Sequence, residues 1–169
     1  MTIFTDTMNA ALRKNVEIEP KPQEISDTQV LYWAKSIIET KFRRSNYLNS
    51  PWITRDFLRL AYASETREVF SVIFLDNQNG VLAYQDLFQG TIDGAAVYPR
   101  EVVKAALTHN AASVILAHNH PSGVAEPSQA DKNITEKIVK ALGIVDIRVL
   151  DHLIVGGAEI MSFAERGLI

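Results

Sequence analysis

The sequence contains no cysteine among its 169 residues. This absence excludes disulfide bonds, a zinc site with cysteine ligands, and a Cys/His metal site of the cytidine-deaminase type. The sequence also lacks an apolar run that approaches the roughly 18 residues needed to span a bilayer, and its start lacks the apolar core of a signal peptide. We therefore expect a cytosolic protein with no membrane partner.

Positive charge is not in excess, because the formal net charge is −3. A protein that binds nucleic acid mainly by neutralising phosphates usually has a basic patch or a high pI. The one basic cluster comprises Lys35, Lys41, Arg43 and Arg44. It stands at the end of a predicted helix, where cations also complement the helix dipole. Charge therefore gives a nucleic-acid partner little support, and the cluster is either a helix end or a contact surface.

The apolar content is sufficient for one core, since 47% of the residues are hydrophobic. Residues 1 to about 24 show little periodicity and are interrupted by Pro20 and Pro22, which predicts an arm. Residues 26–44 place apolar side chains at helical spacing and predict one helix. We therefore divide the chain into an N-terminal extension, residues 1–50, and a folded domain, residues 51–169. No pattern indicates an oligomeric state.

The pattern of the folded domain predicts helices between strands. The elements are a helix from Thr54 to about Ala63, strands at 69–75 and 81–88, a helix at 99–109, a strand at 113–118, a helix at 129–142, and strands at 146–155 and 159–163. Turns at 77–80 and at Gly156-Gly157 predict hairpins at both ends of this series. The order predicts an α/β fold with a mixed β-sheet flanked by helices, preceded by the helical extension.

The most informative segment begins where the strand 113–118 ends. His118 and His120 stand at i and i+2, so on an extended backbone their side chains leave the same face. Pro121 then helps to turn the chain. Ser128 is a predicted N-cap that places Asp131 in the first turn of the next helix. The helix dipole favours a carboxylate there, facing the strand end that holds the histidines.

His118, His120 and Asp131 together predict a zinc site with one Zn²⁺ per chain. Two histidine nitrogens and one carboxylate oxygen, each about 2.0 to 2.2 Å from the metal, leave a fourth tetrahedral position for water, which is typical of catalytic zinc. Ser128 and Asp131 also have the spacing of a capping box, which needs no metal. The two interpretations are compatible, because a capping box would also fix the position of the ligand.

The spacing of His118, His120, Ser128 and Asp131 matches the JAMM (MPN-type) metalloprotease motif. The surrounding sequence resembles the RadC branch of that family, from about Thr54 to Ile169. Segments that carry the resemblance include Phe88-Gln-Gly-Thr91, Tyr98-Pro-Arg-Glu-Val102 and Asp151-His-Leu-Ile-Val-Gly156. It implies a three-layer α/β fold like that of the cytidine deaminases. It also implies hydrolysis of peptide or isopeptide bonds, with a protein or peptide as substrate.

The resemblance further implies a catalytic glutamate from an earlier strand, which takes a proton from the attacking water and passes it to the leaving amine. We assign this role to Glu68, which precedes the apolar run 69–75, and keep Glu65 as the alternative. Either side chain can instead be an ordinary solvated carboxylate. Ser128 would donate a hydrogen bond to the developing oxyanion, a type of contact worth about 3 kcal/mol.

His152 enters the predicted strand 146–155 directly after Asp151. We expect it to be a core histidine, or one that hydrogen-bonds to a metal ligand, rather than a ligand itself.

Two other function classes remain open from the sequence. The RadC resemblance suggests a DNA-repair-associated or nucleic-acid-processing protein, which would bind DNA in a salt-sensitive way through Lys41, Arg43 and Arg44. A scaffold that has lost catalysis is the other class. The presence of both motif histidines, the serine and the aspartate argues against the scaffold.

Overall fold

The computed structural model describes residues 25–44, 51–90 and 96–169. The chain divides into two compact units, Met1–Val30 and Leu31–Ile169. Of the first unit, the described residues are 25–30, which include the start of helix α1, Asp27–Arg44. The Ser26 amide donates to the Gln29 side-chain oxygen at 3.0 Å, and the Gln29 amide donates to Ser26 Oγ at 3.2 Å. This reciprocal cap confirms the predicted helix start.

Some sequence predictions fall on residues or side chains outside the described part of the structure. These are the arm at residues 1–24, Thr91 of the resemblance, and the side chains of Lys35, Lys41, Arg43 and Arg44. The nucleic-acid alternative and the domain division at residue 50 therefore stay predictions.

The second unit is an α/β domain with a five-stranded sheet. After α1, its elements are α2 (Pro51–Ala61), β1 (Val69–Leu75), β2 (Val81–Gln89), α3 (Pro99–Thr108), β3 (Ser113–Asn119), α4 (Gln129–Gly143), β4 (Arg148–Gly156) and β5 (Glu159–Ser162). The strand order is β2-β1-β3-β4-β5. Strands β3 and β4 are parallel, and the other neighbouring pairs are antiparallel. The predicted mixed sheet with a hairpin at each end is confirmed.

Helix α2 begins earlier than the sequence predicted. The sequence predicted a helix from Thr54, but the helix begins at Pro51, and Thr54 lies inside it with 3% of its surface exposed. Proline suits the first helical position because its φ is already helical and it has no amide hydrogen that needs a partner. The helix ends at Ala61 rather than near Ala63.

Helices cover both faces of the sheet, so β1 and β3 are buried along their whole length. On one face, α2 packs Phe57 and Leu58 against the sheet in a cluster that includes Ala117. On the other face, residues of α3 and α4 form a second cluster that includes Leu116. Because successive strand residues point to opposite faces, the end of β3 delivers alternate side chains to the two layers.

None of the helices among the described residues is long and apolar enough to cross a membrane. The cytosolic location expected from the sequence stays a prediction.

Candidate metal site

The end of β3 holds His118 and His120 on the face that α3 and α4 cover. His118 is 1% exposed and stacks on Phe70 of β1, with ring centroids 6.0 Å apart. The His120 amide donates to the Val155 carbonyl at 2.8 Å, which extends the β3–β4 pairing by one residue beyond Asn119. The strand alternation therefore brings both imidazoles to the same face, as the sequence predicted.

Asn119 points to the opposite face and binds the backbone at the start of β1. Its side-chain amide donates to the Arg67 carbonyl at 2.9 Å, and its side-chain oxygen accepts from the Val69 amide at 2.8 Å. Asn119 thus fixes the residues on both sides of Glu68 against the end of β3. Sequence reasoning did not assign this function to Asn119.

The loop after β3 orients the His120 ring. His120 Nδ1 lies 2.8 Å from the Val124 carbonyl oxygen. Since a carbonyl oxygen only accepts, Nδ1 carries the hydrogen and a neutral ring has its lone pair on Nε2. The loop packs directly on Gly156 at the end of β4, where a Cβ atom would lie 2.4 Å from the Ala125 nitrogen. Glycine at position 156 therefore permits the close approach that places the Val124 carbonyl.

Ser128 and Asp131 form the capping box that begins α4. The Ser128 amide and hydroxyl both donate to Asp131 Oδ2, at 2.7 and 2.6 Å. The Asp131 amide donates to Ser128 Oγ at 3.1 Å. Ser128 thereby holds one carboxylate oxygen, while the other, Oδ1, lies 3.3 Å from His118 Nε2. The capping interpretation is confirmed, and it positions the carboxylate as the zinc interpretation requires.

The three predicted ligands converge. His118 Nε2 lies 2.9 Å from His120 Nε2 and 3.3 Å from Asp131 Oδ1, and His120 Nε2 lies 3.6 Å from Asp131 Oδ2. Ligand atoms bonded at about 2.0 to 2.1 Å to a tetrahedral zinc are roughly 3.3 Å apart. Two imidazoles and a carboxylate at this spacing fit a zinc ion. Among the described residues, no other group of three histidine or acidic side chains is close enough to hold a metal.

The electrostatics of the cluster keep the carboxylate ionised. Burial alone would raise the pKa of Asp131, but its interactions with His118, His120 and Ser128 hold that pKa well below the ordinary value. The interaction with Asp131, more than any other, raises the pKa of His120. The cluster therefore favours positive charge at His120, which is also what a bound cation would supply.

His152 lies behind His118 and is fully buried. Its Nε2 lies 2.8 Å from His118 Nδ1, and its Nδ1 lies 2.7 Å from the Thr135 hydroxyl. Burial lowers the pKa of His152 well below its ordinary value, so the ring is neutral. His152 thus hydrogen-bonds to a predicted ligand, which is one of the two environments expected for it.

Glu68 lies one residue before β1. Phe70 pairs with His118 in the antiparallel β1–β3 register, and the same register continued by two residues places Glu68 opposite His120. The side chains at 68, 70, 118 and 120 therefore share one face. The Glu68 charge helps to raise the pKa of His120. The catalytic role of Glu68 stays a prediction.

The alternative, Glu65, lies on a groove that runs past His120. Arg59, Tyr62 and Asn119 also line this groove. Glu65 lies in the segment between α2 and β1, three residues before Glu68. The groove leaves His120 accessible from outside.

Fold and site together define a mixed-sheet α/β domain with a His-His-Asp cluster at the end of a central strand. A family model described as RadC-like JAB domain matches residues 48–168. The chain belongs to this family, which confirms the resemblance seen in the sequence.

Similar proteins include a UPF0758 protein of Cellvibrio japonicus, 62% identical over 138 residues, which are 82% of this chain and 62% of that protein. A UPF0758 protein of Nitrosococcus oceani is 58% identical over 132 residues, 78% of this chain and 59% of that protein. A UPF0758 protein of Vibrio cholerae is 56% identical over 140 residues, which are 83% of this chain and 62% of that protein. The chain spans about three-fifths of the length of these relatives. Membership of a JAB-domain family is consistent with metal-dependent hydrolysis.

Proposed function

We propose that the protein is a zinc-dependent hydrolase of peptide or isopeptide bonds, with one Zn²⁺ per chain held by His118, His120 and Asp131. The observation that carries the proposal is the convergence of their donor atoms at 2.9, 3.3 and 3.6 Å. When bound, zinc would lower the pKa of a water molecule toward neutrality and polarise the scissile carbonyl.

Glu68 is the general base of the proposed reaction. Its carboxylate accepts a proton from the attacking water and returns it to the nitrogen of the leaving amine. The register that places Glu68 opposite His120 supports this role, as does the Asn119 side chain that fixes the backbone on both sides of it. Glu65 lies outside this register, in the segment between α2 and β1.

Ser128 has two roles in succession. Its hydroxyl first holds Asp131 Oδ2, as the structure has it. As charge develops on the substrate carbonyl, the hydroxyl turns and donates to that oxygen, a contact worth about 3 kcal/mol in comparable sites. Asp131 stays in position during this exchange, because the Ser128 amide still donates to Oδ2 at 2.7 Å.

The substrate is a protein or peptide. The groove past His120 supports this, because it opens one of the three donor side chains to the surface. The chain covers 62% of the length of the Cellvibrio japonicus protein. In that longer relative, residues outside the matched part can also contribute to the choice of substrate.

Hydrolysis tests the proposal. The zinc-loaded protein is incubated in ¹⁸O-labelled water with peptides that carry either a main-chain amide or a lysine ε-amide, and products are identified by mass spectrometry. We expect one ¹⁸O in the new carboxylate. Glu68→Gln should keep the metal and lose about 10²- to 10⁴-fold in turnover, the usual contribution of a general base. Glu65→Gln is the matched control and should stay near the wild-type rate. Equal turnover in wild type and Glu68→Gln contradicts the assignment of the base.

A further inference from the structure

We infer that Thr135 and His152 are positioning residues that fix the tautomer of His118, so that its Nε2 presents a lone pair to the metal. The inference rests on the proposed function, because a fixed lone pair on Nε2 matters only where a cation binds it. It assigns a function to two buried polar residues that the hydrolytic reaction itself does not use.

The hydroxyl hydrogen of Thr135 has a defined acceptor. Thr135 Oγ1 lies 2.6 Å from the backbone carbonyl oxygen of Asp131. Two oxygens this close require a hydrogen between them, and the carbonyl has none to give. The single hydroxyl hydrogen is therefore committed to Asp131. Toward any other neighbour, the Thr135 hydroxyl can only accept.

The hydrogen of His152 is then also assigned. His152 Nδ1 lies 2.7 Å from Thr135 Oγ1, so Nδ1 must donate. The ring is fully buried, and burial disfavours a charged imidazolium there. A neutral ring with its hydrogen on Nδ1 has a lone pair on Nε2. His152 Nε2 is therefore an acceptor.

His118 is the last member of the chain of hydrogen bonds. Its Nδ1 lies 2.8 Å from His152 Nε2, so Nδ1 is the donor and carries the hydrogen. The lone pair of a neutral His118 is then on Nε2, which faces His120 and Asp131. Thr135 and His152 thus decide which nitrogen of His118 binds the metal.

Packing prevents the His152 ring from turning away from this arrangement. The ring stacks on Phe163 with centroids 4.8 Å apart, and meets the edge of Phe70 at 5.5 Å. Phe70 also stacks on His118.

Both ends of this series of hydrogen bonds are predicted ligands, because one end is the His118 ring and the other is the Asp131 backbone carbonyl. A change at Thr135 or His152 would therefore leave a buried donor or acceptor without a partner next to the site.

The first test is a measurement on the wild-type chain and needs no substitution. The protein is labelled with ¹⁵N on histidine, freed of metal with a chelator and studied at pH 8, where long-range ¹H–¹⁵N spectra distinguish protonated from bare ring nitrogens. We expect His118 to have its hydrogen on Nδ1 and a bare Nε2. A His118 with its hydrogen on Nε2 would overturn the inference.

The second test uses matched pairs of variants and zinc affinity measured by competition with a chromophoric chelator. Thr135→Val keeps the shape but cannot accept from His152, whereas Thr135→Ser can. His152→Leu removes the acceptor for His118, whereas His152→Gln keeps one. We expect zinc affinity to fall about 10- to 100-fold in Thr135→Val and His152→Leu, as is typical when a partner of a metal ligand is lost. Thr135→Ser and His152→Gln should retain most of the affinity.

The outcomes separate this inference from the proposed function. Wild-type zinc affinity in both Thr135→Val and His152→Leu would overturn the inference even if the wild type is a zinc hydrolase. If the wild type binds no zinc, the proposed function fails, and the ¹⁵N spectrum alone decides whether the tautomer of His118 is fixed as inferred.

Discussion

Ser128 gives Asp131 two hydrogen bonds on the same carboxylate oxygen, from its amide at 2.7 Å and from its hydroxyl at 2.6 Å. The hydroxyl also accepts from the Asp131 amide, at 3.1 Å. One serine thus begins helix α4, holds Oδ2 of a predicted metal ligand and leaves Oδ1 toward His118. The structural and the catalytic functions of Ser128 can be separated by experiment.

Ser128→Ala removes the hydroxyl and keeps the amide contact. We expect the free energy of unfolding of the zinc-free protein to fall by about 1 kcal/mol, the usual cost of losing an N-cap. In the zinc-loaded protein we expect kcat to fall about 10²- to 10³-fold, the usual cost of losing an oxyanion donor. Urea unfolding and steady-state kinetics measure the two effects. Ser128→Thr is the control and keeps both functions. A Ser128→Ala enzyme with unchanged kcat would limit the serine to capping.

Gly156→Ala tests whether the loop after β3 must pack directly on β4. The new Cβ would lie 2.4 Å from the Ala125 backbone nitrogen, so the loop that presents the Val124 carbonyl to His120 has to move. We expect the variant to lose about 1 to 3 kcal/mol of stability, as overpacked positions do, and to bind zinc more weakly.

Gly143→Ala is the matched control for Gly156→Ala. A Cβ at position 143, the last residue of α4, meets no atom within 4 Å. We expect this change to be neutral or to stabilise the helix by up to about 1 kcal/mol, because alanine is the better helix former. Equal stability of the two alanine variants would show that the loop tolerates a side chain at position 156.

The stability of the zinc-free protein should fall as the pH is lowered from about 6.5 to 5. Burial depresses the pKa of His152 in the folded state, so in this range the unfolded chain binds a proton that the folded chain does not. This one group contributes a slope of up to about 1.4 kcal/mol per pH unit, with stability rising as pH rises. His152→Gln should flatten the slope. Urea unfolding in the presence of a chelator measures it, and an equal slope in both proteins would contradict a neutral buried His152.

Zinc and a proton should compete for His120. Asp131 raises the pKa of His120 in the metal-free protein, and the metal binds only the unprotonated ring. Below that pKa, the apparent zinc affinity should fall up to about tenfold per pH unit, with one proton released per zinc bound. Calorimetric titration in buffers of different ionisation enthalpy measures the proton count. Zinc affinity that does not change between pH 8 and 6 would contradict a proton at His120.

Local patterns were sufficient to predict most of the fold and the convergence of His118, His120 and Asp131. The alternation of a strand places His118 and His120 on one face, and the capping position of Ser128 places Asp131 in the first helical turn. These relationships depend on a few neighbouring residues, so the sequence contains them. The order of strands and helices likewise indicated the mixed sheet with two hairpins.

The supporting contacts were not predictable, because they join residues far apart in the chain. Asn119 binds the backbone of residues 67 and 69, and His152 meets Thr135 only because β4 and α4 pack on the same face of the sheet. Nothing local to either partner indicates the other.

Zinc content shows whether His118, His120 and Asp131 hold a metal. The protein and its variants are purified under identical conditions, loaded with Zn²⁺, passed through a desalting column and analysed by plasma mass spectrometry. We expect about one zinc per chain in the wild type and in the control His109→Ala, at the end of α3, and loss of that zinc in His118→Ala and Asp131→Ala. Equal zinc content in the wild type and in these two ligand variants would contradict this assignment of the ligands.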